Sequence, residues 1–386
     1  MLKFLQSFVC VCLAVWGCGA QSATNTEKQQ TKEVRAHYEA AQGFERAGDW
    51  AAAEREWQVV LKLVPDDARA WVNLGVALNH QEKSREAIDS WTRAASLDPK
   101  LAGAHFNLGL ALVRNNEFTG AINPLRRALA LDAENDAARR ALAVALTGTG
   151  QFQEATREIA RLLVRSPRDP ALLEMSAQVF MRQRRFAEAA IVLRRRLELG
   201  NEKSQLWAEY GDALDGATRT PEALEAYKRA VELAPEETST RYGLGYLYWK
   251  LYRYDEAEHE LTEVLRRDPK DARAAFTLGD LYLTKGDAGR ALPFLELAAH
   301  DYPAEFDTRF ALGRALLQTG EQARGIKELR AAVQLDDSIA DGHFQLGRAL
   351  LRAGESVEGK RELERARELN NSKRAAEGIR PPLRPQ

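Results

Sequence analysis

Apolar positions along this chain fall at helical spacing and return in step every 34 residues. The clearest marker is a Leu-Gly pair whose glycines are Gly75, Gly109, Gly245, Gly279, Gly313 and Gly347, separated by 34, 136, 34, 34 and 34 residues. A fixed period of this length is the mark of a repeat array, in which one supersecondary unit is copied and stacked. With the second unit beginning at Ala68, positions 4, 7, 8, 11, 20, 24, 27 and 32 hold Trp71, Leu74, Gly75, Leu78, Ala87, Trp91, Ala94 and Pro99. Position 20 stays small from Ala53 through Ala291 and ends in Gly325 and Gly359. Position 15 carries Gly48, Gly150, Gly286, Gly320 and Gly354, the residue type that ends a helix in the left-handed conformation. Position 32 carries Pro65, Pro99, Pro167, Pro235, Pro269 and Pro303, which cannot continue a helix. Each unit therefore reads as helix, Gly turn, helix, Pro stop. Leu at position 7 fills the seam between the two helices, and Gly at position 8 lets the partner helix approach, so that a methyl group there is expected to hold the helices apart.

This pattern resembles the tetratricopeptide repeat. The resemblance covers residues 34–373, ten units of 34 without insertion or deletion, and it implies an all-α, right-handed superhelical solenoid of about ten tandem helix-turn-helix repeats. Repeat five departs from the pattern, with Ser176, Arg196 and Asn201 at positions 7, 27 and 32 and a Leu199-Gly200 helix ending. It is either a soft joint or an adapted packing. The last two units have Asp337 and Asn371 in place of Pro, which suits a capping end.

The family resemblance also implies where a partner would bind, because positions 2, 5, 9 and 12 of successive first helices commonly face a concave groove. Position 5 holds Tyr242, Phe276, Phe310 and Phe344 in the last four repeats, a continuous aromatic row. Position 9 adds Tyr246, Asp280, Arg314 and Arg348, and position 12 adds Trp249, Leu283, Leu317 and Leu351. An apolar floor with a few charges suits an extended or helical peptide. The Lys and Asn clamp by which some family members grip a C-terminal carboxylate is missing, since position 5 has no Lys and position 6 has Asn only at Asn73 and Asn107.

Charge changes this picture locally rather than globally. The 55 basic and 56 acidic residues nearly cancel, so there is no overall signal for nucleic acid. Residues 139–196, however, hold twelve Arg, no Lys and five acids, and residues 201–263 hold seven basic residues against fourteen acids. Within the basic block Arg157, Arg161, Arg165 and Arg195 are expected on the convex outside, as a solvated face or a surface for anionic headgroups or an acidic protein. Within the acidic block Glu209, Asp212 and Asp215 share one helix face, as a partner-binding patch or, in the opposed reading, as groove carboxylates of an enzyme or enzyme subunit. His37, His105 and His343 all occupy position 4, where they read as packed rings rather than metal ligands. His259 and Glu263 lack the second His that a zinc helix needs. No catalytic residue, metal or cofactor is assigned.

The first twenty residues have one basic residue, an apolar run from Phe4 to Trp16 and small residues after it, the layout of a secretory signal peptide. Two processing routes stay open, cleavage after Ala20 or lipidation of Cys18, the latter because Val15-Trp16-Gly17-Cys18 resembles a bacterial lipobox. Residues 21–33 read as a polar tether and 374–386 as a disordered tail. The sequence thus predicts a non-catalytic, exported interaction scaffold, periplasmic, outer-membrane associated or secreted. Its expected partner is a protein or peptide, with no nucleic acid and with membrane contact only through Cys18; its oligomeric state is left open.

Overall fold

The computed structural model describes residues 29–200 and 202–376. Among them are twenty helices and no strand, numbered α1 to α20 in chain order; α1 spans residues 29–47 and α2 Trp50–Leu63. From the second repeat on, every first helix begins at position 1 and ends at position 13, as in α3 (Ala68–His80) and α15 (Ala272–Thr284). Second helices run from position 17 to position 30, as in α4 (Ser84–Leu97) and α16 (Ala288–Asp301). Two depart: α10 (Phe186–Leu197) stops early, and α20 (Ser356–Ala376) runs on past residue 373 because no Pro interrupts it. The Leu199-Gly200 step does end α10, with Gly200 at φ 80°. Asn201, and the N-terminal segment with Cys18, lie outside the described residues.

The chain divides into two compact units, residues 29–183 and 184–376, with the division inside repeat five. The first is built around Trp57, Leu125, Leu146 and Ile159, and the second around Leu214, Leu247, Leu261 and Leu278, all essentially excluded from solvent. Each such side chain contributes roughly 1.5–3 kcal/mol by leaving water. Helix starts are capped where position 34 is Asp or Asn: the side chains of Asp67, Asn135, Asp169 and Asp271 accept from the first-turn amides that have no intrahelical partner. In repeat five Ser176 is buried, and buried Arg196 donates from Nη1 to the Gly200 carbonyl at 3.2 Å.

Position 8 needs a correction. Ala41, Ala143 and Ala177 stand there in repeats one, four and five, buried, so a methyl does not by itself hold the helices apart. Where glycine is present, its missing side chain makes room chiefly for the residue at position 24. A Cβ on Gly75 would come within 2.5 Å of the Trp91 ring, and one on Gly279 within 2.7 Å of Leu295.

Position 15 reaches further than its glycines. All ten repeats place it at positive φ, including Glu82, Asn116, Arg184, Thr218 and Tyr252 at 58–62°. The turn imposes the left-handed conformation, at a cost of roughly 1–2 kcal/mol for a residue with a Cβ.

Position 4 is also more than a slot for a ring. Five repeats pair it with a glutamate nineteen residues on: His37 with Glu56, Arg139 with Glu158, Arg241 with Glu260, Arg309 with Glu328 and His343 with Glu362, at 2.5–2.7 Å. The same side chain reaches back six residues to the position-32 carbonyl of the preceding repeat. Trp71 donates to Pro65 at 2.8 Å, Arg241 to Pro235 at 3.0 Å and Arg309 to Pro303 at 3.0 Å, and the His105 and His343 rings lie 3.2 and 3.0 Å from the Pro99 and Asp337 carbonyls. One side chain thus ties the two helices of a unit and the end of the unit before it.

Candidate interaction groove and its acidic cavity

Because the first helices of the second unit all begin at position 1, their fifth residues recur in register. Tyr242 on α13 (Thr238–Lys250), Phe276 on α15 and Phe310 on α17 (Phe306–Gln318) are half-buried, whereas Phe344 on α19 (Ala340–Arg352) is 43% exposed. The half-burial has identifiable partners: Phe310 stacks on Phe306 one turn earlier, with centroids 5.3 Å apart. Position 9 lies one turn on from position 5, so the two interact within each helix. Tyr246 stands 6.3 Å from Tyr242, the Arg314 guanidinium lies 5.6 Å from the Phe310 centroid, and Arg348 stands at the same distance from Phe344. These are cation–π distances.

Trp249, at position 12, stacks on Tyr246 at 5.6 Å, and its side chain reaches the neighbourhood of Asp280 in the next repeat. Burial pushes the Asp280 carboxyl up, while Arg314 and Trp249 pull the other way. Leu317 is half-buried and Leu351 is exposed, but Leu283 is buried, so in repeat eight position 12 belongs to the core and not to an open floor.

The acids Glu209, Asp212 and Asp215 are brought together on α11 (Ser204–Gly216), and the structure adds what the sequence did not reveal. Facing α13, they line a cavity of about 380 Å³ whose other walls include Tyr242, Tyr246 and Arg273. Its floor is Tyr227 on α12 (Thr220–Leu233), whose hydroxyl donates to Asp212 at 2.6 Å. Two glycines hold that ring in place, since a Cβ on Gly211 would meet it at 2.6 Å and one on Gly243 would run straight into it. The signal that could have found this was Gly243 at position 6 together with Tyr227 at position 24, two local departures that mean nothing until the helices are packed.

Burial raises the Asp212 carboxyl above its ordinary value, with Asp215 adding to the rise and the Tyr227 bond opposing it. The Tyr227 phenol is raised strongly, by burial first and then by Asp212. Asp215 accepts from Thr220 at 2.7 Å and from Lys250 at 2.8 Å. Among the described residues no group of His, Cys, Asp and Glu is arranged to hold a metal ion, and no helix is long and apolar enough to cross a membrane.

The basic surface is partly neutralised where it lies. On α8 (Phe152–Arg165) Arg157, Arg161 and Arg165 are exposed, but Arg161 pairs with Glu158 at 2.7 Å and Arg165 with Glu134 at 2.7 Å. Arg195 is exposed on α10, within the other unit.

Comparison with protein families finds two profiles, each described as a tetratricopeptide repeat. One matches residues 38–102, 81–136, 174–238, 209–258 and 242–306, more than half of the chain, and the other matches 112–179. Comparison with the curated proteins gives no match. Among solved structures, the chain is similar to MamA of Desulfovibrio magneticus, with 23% identity over 45% of this chain and 97% of that one, TM-score 0.42. It is similar to yeast Tom70, with 14% identity over 91% and 88%, TM-score 0.43. YrrB, described as a tetratricopeptide protein with an unusual peptide-binding site, is 22% identical over 56% and 94%, TM-score 0.33.

Proposed function

The chain belongs to the tetratricopeptide repeat family, and from that premise we propose that it is a non-catalytic interaction scaffold of the bacterial cell envelope, holding a peptide segment of a partner protein in the groove lined by Tyr242, Phe276, Phe310 and Phe344. The family is in general a module for binding proteins or peptides, and the coarse assignment rests on that. The finer one is carried by a single observation: four aromatic side chains, in register on successive first helices, keep solvent-facing surface that Arg314 and Arg348 border. Apolar area of this kind supplies affinity, and the flanking charges fix the register of an extended or helical segment. Placement in the envelope rests on the N-terminal sequence, with cleavage after Ala20 or lipidation at Cys18 as the two routes.

The test is affinity purification of the mature chain from the envelope fraction beside a Phe276→Ala/Phe310→Ala variant, with retained proteins identified by mass spectrometry and helicity checked by circular dichroism. A partner retained only by the wild type is expected. Identical partner lists, with helicity intact, would remove the groove reading.

A further inference from the structure

We infer that the cavity between α11 and α13 is the seat for one basic side chain, an arginine or a lysine, of the segment held in the groove. The inference rests on the groove reading above and names the anchor that reading lacks. Four carboxylates line the cavity, Glu209, Asp212 and Asp215 from α11 and Glu237 at the start of α13. The one cation in the lining, Arg273, is matched by Asp271 at 3.1 Å. Asp215 is engaged by Lys250 at 2.8 Å, so the negative excess where an occupant would sit rests on Glu209, Asp212 and Glu237, and the partial burial of Asp212 strengthens the pull on a cation.

The opposite wall is aromatic. Tyr242 and Tyr246 can cover the hydrocarbon stem of a long basic side chain and offer a ring face to its charged end. The protein already uses this pairing: the Arg273 guanidinium lies 4.8 Å from the Tyr242 centroid. Tyr242 also begins the aromatic row, with Tyr246 one turn on, so a segment lying along the row passes the mouth of the cavity. At about 380 Å³ the space accepts a side chain with its charged head but not a folded element. The cavity chemistry is opposite to a carboxylate clamp, and it fixes direction, with a basic residue at the repeat six and seven end and the Arg314 and Arg348 end left for acidic or neutral residues. A cation entering beside Asp212 also offsets what burial costs that carboxylate.

The inference is tested by selecting random twelve-residue peptides from a display library on the full mature chain. Selected peptides are then resynthesised with citrulline in place of arginine and measured by fluorescence anisotropy. Expected is a basic residue at a fixed distance from the apolar positions, and a loss of about tenfold or more on replacement with citrulline. In a Glu209→Gln/Asp212→Asn variant, which keeps an acceptor for the Tyr227 hydroxyl, arginine and citrulline peptides should bind alike. Phe276→Ala/Phe310→Ala should weaken both.

Peptides without a fixed basic residue, or a citrulline penalty that survives in the variant, would overturn the cavity assignment and leave the groove standing. Selected peptides indifferent to the phenylalanine pair would instead overturn the groove. Agmatine binding the cavity as tightly as the peptides do would assign it to a free amine and also overturn the inference, and a chain that retains no peptide would end both readings.

Discussion

Arg139 and Glu158 meet at 2.7 Å across the two helices of repeat four, both side chains nearly buried, while a second nitrogen of the same guanidinium donates to the Ala133 carbonyl of repeat three. The pairing recurs four more times at the same nineteen-residue separation. It is a structural device of the array and not a site, because the paired side chains are spent on each other.

Glu158→Ala should cost about 1–3 kcal/mol, since it strands a charge held away from water. Glu225→Ala, which breaks the exposed pair with Lys228, should cost under about 0.5 kcal/mol. Urea unfolding of both variants checks the contrast, and equal losses would mean the position-4 pair contributes nothing special.

Thr218→Gly should stabilise the chain by about 0.5–1 kcal/mol, because a β-branched residue at φ 61° gives way to one that adopts this conformation freely. Gly48→Ala, at φ 76°, should destabilise it by a similar amount. Thermal melts that move both variants the same way would contradict the strain argument.

Gly279→Ala should destabilise by about 1–3 kcal/mol, since the new methyl meets Leu295 at 2.7 Å. In a Leu295→Ala background the same substitution should cost much less. A double-mutant cycle reads the difference as coupling, and strict additivity would show that Leu295 is not what requires the glycine.

Asp212→Asn should raise thermal stability at neutral pH and leave it nearly unchanged in acid. The folded-state value of Asp212 lies above the ordinary 3.8, so the folded chain holds the proton where the unfolded chain has lost it. The cost of burying the charge is therefore absent below that ordinary value, grows as pH rises from it to the folded-state value, and is fully present above that. Of the charged and titratable groups around the cavity, which include Glu209, Glu237, Tyr242, Tyr246 and Arg273, the two that act on Asp212 are Tyr227, which donates to it, and Asp215, which is engaged by Lys250. A melting difference that is constant from acid to neutral pH would show that Asp212 is not the titrating group.

The sequence by itself determined the repeat, its register and its helix, turn, helix order, because the determinants are local. A proline at position 32, a turn at position 15 and an apolar stripe at helical spacing act within one 34-residue unit, and copying them left no freedom in where α3 or α15 begins. It also set out the aromatic row, since residues at the same position of successive units must fall in register. What only the tertiary structure decided involves residues that meet across helices. Position 4 read as a packing slot until Glu158 and its counterparts arrived from the second helix, and the glycine at position 8 read as a contact between backbones until Trp91 and Leu295 were seen to fill the space. Leu283 had the pattern of a groove residue and is core, because burial depends on the neighbours that close over a position and not on its number in the repeat. The cavity beside Asp212 was the least legible of all: it exists because Gly211 and Gly243, on two different helices, leave room for one tyrosine ring between them.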